Sequence, residues 1–112
     1  MNVPNAENAI IAPEKLRNYL LNIEHRRGGS KAKLLLSMGY QADQWQQLES
    51  DLRQQHLVSD VDKIKENDYG TTYEIAAGLK GPLRPDPILF RSIWQIDFGT
   101  DCPRLITMHP EW

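Results

Sequence analysis

A single cysteine, Cys102, means that the chain can close no internal disulfide, so its fold cannot lean on oxidation. A reducing, cytoplasmic setting suits such a chain, and a thiol in a turn beside Pro103 shows no sign of activation. No apolar run approaches the ~20 residues of a membrane-spanning helix, and the first residues lack the pattern of a secretory leader. A soluble protein with no membrane contact is expected. C-x-x-C and H-E-x-x-H patterns are missing, so neither a dedicated metal site nor a cofactor is expected. Gly28-Gly29-Ser30-Lys31 places a lysine as a phosphate-cradling loop would, but no strand precedes it. No G-x-S-x-G elbow occurs and Ser92 falls in mid-strand, so a Ser-His-Asp relay is not indicated. Positive charge is not in excess either. A net charge of −2 argues against a protein that wraps nucleic acid over its whole surface, while leaving room for a local basic cleft.

What is present is one ordinary globular domain. With 112 residues, 40% of them hydrophobic and 25% charged, the chain can bury roughly two-thirds of its unfolded surface without staples. The charges are unevenly placed: Lys15, Arg17, Arg26, Arg27, Lys31 and Lys33 make one stretch basic, and acidic residues concentrate between Asp43 and Asp68.

Patterning divides residues 1–112, read as one domain, into an extended lead-in (1–11), a helical half (12–57) and a sheet half (58–110). Pro13 suits a first helical position, and Leu16, Tyr19, Leu20 and Ile23 recur on one helix face. Gly28-Gly29 breaks that helix, Ser30 suits the cap of a short second one carrying Ala32, Leu35 and Leu36, and Gly39 suits its left-handed end. A third helix from Ala42 or Asp43 keeps Trp45, Leu48 and Leu52 on one face, and His56 suits a cation at its C-terminus. Strands are expected at Val58–Ile64, around Thr71–Leu79, at Ile88–Phe98 and at Pro103–His109, with a proline-rich loop between Gly81 and Pro87. Short connections favour an antiparallel meander. The expected fold is therefore α+β, about three N-terminal helices on one face of a four-stranded antiparallel sheet, with the other face solvated or used.

Several groups stand out chemically. His25, Arg26 and Arg27, with Lys31 and Lys33 just beyond, would suit an anionic ligand near the start of the second helix; loop charges in water are the plainer alternative. Strand alternation separates Ser92, with Phe90 and Trp94, from Arg91, with Leu89, Ile93 and Gln95. Ion pairing to a neighbouring Asp or Glu is the alternative for both Arg91 and Arg104. Tyr73 could offer a phenolic hydroxyl or simply sit half-buried, His109 could serve as a second acid–base group, and Trp94 reads as core.

Ile11-Ala12-Pro13-Glu14-Lys15-Leu16, His25, Lys31-Ala32, Gly39-Tyr40, Tyr69-Gly70, Gly81-Pro82, Arg91-Ser92-Ile93-Trp94 and Pro103-Arg104-Leu105 occur in an order and spacing that resembles a bacterial family of uncharacterised domains (DUF6883-like). That family's helices-then-meander layout is similar to the barnase, EndoU, colicin and RelE class of small ribonucleases, many of them toxins held by a cognate inhibitor. The resemblance implies metal-independent cleavage of an RNA phosphodiester by the adjacent 2′-hydroxyl. It implies His25 as the proton-transfer group, and Lys31 with Arg91 or Arg104 as charge stabilisers. Tyr73, Ser92 or Thr107 would position substrate, with Lys33 and Gln95 as further contacts. The acidic balance departs from the most basic members of that class. A second reading is a non-catalytic antitoxin or immunity protein, binding a basic toxin through the acidic third helix and Trp45. His25, Lys31 and a strand arginine gathered in one place would favour the enzyme.

Overall fold

A computed structural model describes residues 1–26 and 29–111; Arg27 and Gly28, in the expected basic bend, lie outside the described residues. Pro13 opens the first helix, α1 (Pro13–Lys15), which runs into a widened turn at Leu16–Leu20. There Leu21 donates its N–H to the Leu16 carbonyl at 2.8 Å, five residues back rather than four. Widening turns Leu16, Leu20 and Leu21 all inward, and the helix stops. Ile23, expected on the buried face, is therefore half exposed: the 3.6-residue stripe loses phase at the wide turn.

Helix α2 (Gly29–Ser37) starts one residue before Ser30, which lies in its first turn rather than capping it. Gly39 follows with φ 105°, the left-handed conformation that glycine enters without a Cβ penalty, and Tyr40 donates back to the Leu35 carbonyl at 3.2 Å. A tight turn at Ala42–Gln44 leads into α3 (Trp45–Asp51), whose end repeats the α1 device: a widened turn, Leu52–His56, closed by Leu57 N–H on the Leu52 carbonyl at 2.9 Å.

The sheet is a meander, β1 (Lys63–Glu66), β2 (Gly70–Leu79), β3 (Ile88–Asp97) and β4 (Arg104–Pro110), each strand antiparallel to the next. The α+β reading thus holds, with N-terminal helices against one face. The first strand does not begin at Val58. Leu57 is consumed by the α3 turn, Val61 donates to the Met1 carbonyl at 2.7 Å, and contact with β2 begins at Asp62, whose N–H donates to the Glu74 carbonyl at 2.7 Å, before the paired strand Lys63–Glu66. All four residues of β1 are exposed, so no alternation marks them in the sequence.

Leu16, Leu20, Leu35, Leu48 and Leu52 from the helices meet Ile75, Leu79, Phe90, Trp94 and Met108 from the sheet, all fully buried. Burying side chains of this size contributes roughly 2 kcal/mol each and is the main drive for the helices to lie where they do. Gly70 permits the tightest strand crossing, since a Cβ there would fall inside the Ile96 carbonyl. The lead-in closes one end of the β4 edge: Ile10 donates to the Pro103 carbonyl at 2.8 Å and accepts from Leu105 N–H at 3.0 Å.

A polar chain crosses this core. Ser92 Oγ accepts from Trp94 Nε1–H at 2.9 Å and stands 2.8 Å from His56 Nδ1. His56 is fully enclosed, the Ala77 backbone lies near its ring, and its Nε2 has no hydrogen-bond partner among the described residues. The cation expected to cap the end of α3 is corrected: the widened turn swings His56 inward, and burial, only partly opposed by the Ala77 backbone, lowers its pKa to about 4. A folded-state value below the unfolded one of about 6.5 means that the unfolded chain binds more protons between those limits, so stability is retained above pH 6.5 and drains as pH falls toward 4. Urea unfolding is expected to lose roughly 3 kcal/mol from this group between pH 7 and 4, and His56→Gln is expected to flatten that portion of the profile. Equal pH profiles for the two proteins would contradict a neutral buried His56.

Candidate functional site

Where the wide turn ends α1, Tyr19 is left partly buried at the margin of the core, facing β4 across the molecule. In β4 the register slips by one residue: Ile93 pairs with Thr107, but Trp94 pairs with Leu105. That bulge puts two residues, Ile106 and Thr107, between the buried Leu105 and Met108, and Thr107 Oγ1 meets the Tyr19 hydroxyl at 3.3 Å. Lys31, in the first turn of α2, completes a triangle, donating to Tyr19 Oη at 2.9 Å and to Thr107 Oγ1 at 3.2 Å. Three segments distant in sequence are joined by one ammonium.

His25 stands edge-on to the Tyr19 ring, centroids 4.7 Å apart, and Lys15 lies 5.8 Å from the same ring. Together Glu14, Lys15, Tyr19, His25, Ile106 and Thr107 line an open cleft of about 500 Å³. A second cavity of about 280 Å³ adjoins Lys31 and is lined by Ser30, Lys31, His109 and Pro110. A third, about 290 Å³, lies among Asn2, Ala6, Glu7, Arg53, Leu57 and Val58. Its one cation, Arg53, is committed to Glu49 at 3.0 Å and the Ala9 carbonyl at 3.0 Å, so it offers less chemistry.

The electrostatics of the first cleft follow from neutral partners. Burial pushes the Tyr19 phenol up, yet hydrogen bonds with Lys31 and Thr107 and the charges of Lys31 and Lys15 outweigh it, so its pKa lies below the usual tyrosine value. Lys31 is oriented by two hydroxyls that carry no charge, and among the described residues it makes no ion pair. Its positive charge is aimed but not cancelled. Those hydroxyls take two of its three N–H donors.

The residues expected to share one site are divided by the structure. His25, Lys31 and Thr107 come together at the seam between α1, α2 and β4. Lys33 is exposed on α2. Arg91 is on the other sheet face, where its guanidinium bonds Asp62 at 2.8 Å, Glu74 at 3.0 Å and Glu111 at 2.9 Å. Those carboxylates, through Glu111 and Asp62 above all, hold it charged but occupied. Arg104 bonds Asp97 at 2.7 Å, which draws the Asp97 carboxyl below its ordinary value. For both arginines the ion-pair alternative is what the structure shows. Gln95 is buried between Asn67 at 3.1 Å and Asp97 at 2.5 Å. Tyr73 packs half-buried against the core, and Ser92 is enclosed with His56, where no substrate atom could reach it.

Tyr19 is the residue that sequence reasoning passed over, having been read as part of a buried stripe. A polar-tipped aromatic at the last turn before a basic linker is the only signal that could have singled it out. Among the described residues, no group of three or more His, Cys, Asp or Glu could hold a metal ion, and no helix is long and apolar enough to cross a membrane.

The family model described as "Domain of unknown function (DUF6883)" matches residues 2–112, and the chain belongs to that family. Searches of curated proteins and of solved structures returned no match. If Lys31 sets the state of the Tyr19 phenol, Lys31→Met is expected to raise the Tyr19 pKa, read by NMR titration of ring-labelled tyrosine; an unmoved Tyr19 titration would contradict the contact.

Proposed function

We propose that the cleft between α1 and β4 binds a phosphodiester of RNA, and that the protein is a metal-independent endoribonuclease-like domain. The observation that carries this reading is the Lys31 charge, held by the neutral hydroxyls of Tyr19 and Thr107 beside His25, with no carboxylate spending it among the described residues. An oriented, uncancelled cation beside an imidazole is what a reaction needs when negative charge grows on phosphorus-bound oxygen.

In the proposed reaction, His25 takes the proton of a 2′-hydroxyl as that oxygen attacks the adjacent phosphorus. The bond from phosphorus to the 5′-oxygen breaks, and the Tyr19 hydroxyl supplies the leaving oxygen with its proton. Imidazolium and phenolate are then reset through solvent. The products are a 2′,3′-cyclic phosphate and a 5′-hydroxyl. Lys31 faces the charge on the non-bridging oxygens, and Thr107 acts through Lys31 as a positioning residue. Arg91, Arg104 and Ser92 have no part in this scheme, because their polar atoms are engaged elsewhere.

A bacterial toxin held by a cognate inhibitor is the setting we infer, in the reducing cytoplasm that the lone Cys102 suits. The alternative, a partner-binding protein acting through α3, has less support. Trp45 is packed half-buried against the core, Asp51 is enclosed by Tyr40 at 2.7 Å and Gln47 at 3.1 Å, and Glu49 is tied to Arg53.

Purified protein is expected to cleave RNA in EDTA, leaving 2′,3′-cyclic phosphate ends. His25→Ala, at an unchanged unfolding midpoint, and Lys31→Met, still folded at the assay temperature despite the weakened seam, should each lower kcat/KM by about 100-fold or more. An inactive wild-type protein, or full activity in Lys31→Met, would overturn the proposal.

A further inference from the structure

Lys31 stands between two cavities rather than inside one. It lines the Ser30–His109–Pro110 cavity of about 280 Å³, and its Nζ reaches Tyr19 and Thr107 on the wall of the 500 Å³ cleft. Strand β4 runs past both: Thr107 lines the cleft, and His109, two residues on, lines the smaller cavity. Alternate residues of a strand are separated by roughly 7 Å, of the order of one backbone repeat of an extended nucleic-acid strand.

We infer that the Ser30–Lys31–His109–Pro110 cavity is a second subsite, taking the neighbouring phosphate of a single strand whose first phosphate lies in the cleft. This rests on the RNA reading above and deepens it: the ligand is a chain of at least three nucleotides, bound across Lys31. His109 Nδ1 is 3.1 Å from the Pro110 carbonyl, which can only accept, so Nδ1–H donates there, and a phosphate is met by the imidazolium form, whose Nε2–H is the second donor. Ser30 is exposed and adds a hydroxyl donor to the lining of the same cavity. Negative charge beside His109 is already answered, since Glu111 is engaged by Arg91 through two hydrogen bonds and Arg91 is the cross-strand partner of His109. A phosphate here meets an imidazolium, a hydroxyl and the flank of Lys31.

The test uses 2′-O-methyl uridine dimer and trimer, with one and two phosphodiesters, because a blocked 2′-oxygen cannot attack and binding is read without cleavage. The trimer is expected to bind the wild-type protein about tenfold more tightly than the dimer at low salt, with the ratio shrinking as salt rises. His109→Ala is expected to bring that ratio to near unity. Ser30→Asp, which places a carboxylate at the cavity mouth on an exposed helix position, gives a second reading independent of the β4 end and should do the same. A trimer advantage that persists in both variants overturns the subsite. Equal binding of dimer and trimer by the wild-type protein also overturns it while leaving the first cleft standing, and no binding of either overturns both.

Discussion

One ammonium group fastens the helical half to the far edge of the sheet. Lys31 comes from α2, Tyr19 from the end of α1 and Thr107 from the bulge in β4, and each is partly buried where the elements meet. A lysine here is costly to desolvate, and hydrogen bonds to charged groups return roughly 1.5–3 kcal/mol each, enough to hold the side chain in place. Because the partners are hydroxyls, the positive charge survives the arrangement. The lowered Tyr19 pKa follows in part from where that charge stands, and Lys31 lines the second cavity.

The other strong cations of the molecule are treated differently. Arg91 is surrounded by Asp62, Glu74 and Glu111 on the sheet face away from the helices, and Arg104 is paired with Asp97 beside the β3–β4 turn. These contacts tie the segment before β1 and the residues after β4 to the central strands. Their charges are cancelled locally, and the open sheet face is laced by ion pairs. The uncommitted charge of Lys31 lies at the β4 edge.

Much of the fold was legible in the sequence. Alternation separated Ser92 and Trp94 from Arg91 and Gln95, Gly39 marked the end of α2, and the proline-rich segment marked the β2–β3 connection. What was illegible came from devices with no periodic signature. The widened turns at Leu16–Leu20 and Leu52–His56 shift helix phase, exposing Ile23 and burying His56, and no residue type announces a fifth residue in a turn. The site was half legible for the same reason. His25, Lys31 and Thr107 were singled out as chemically suitable types, but a bulge between Ile93 and Trp94 decides that Thr107 meets the helices. The arginines of the meander drew attention by interrupting apolar runs, and only tertiary structure reveals the acids that absorb them.

The Lys31–Thr107 contact joins β4 to the helices in solution. A double-mutant cycle combining Lys31→Met with Thr107→Val, read by urea unfolding at neutral pH, measures it directly. The predicted coupling is about 1 kcal/mol, favourable in the wild-type pair. Strictly additive losses would contradict the seam as described.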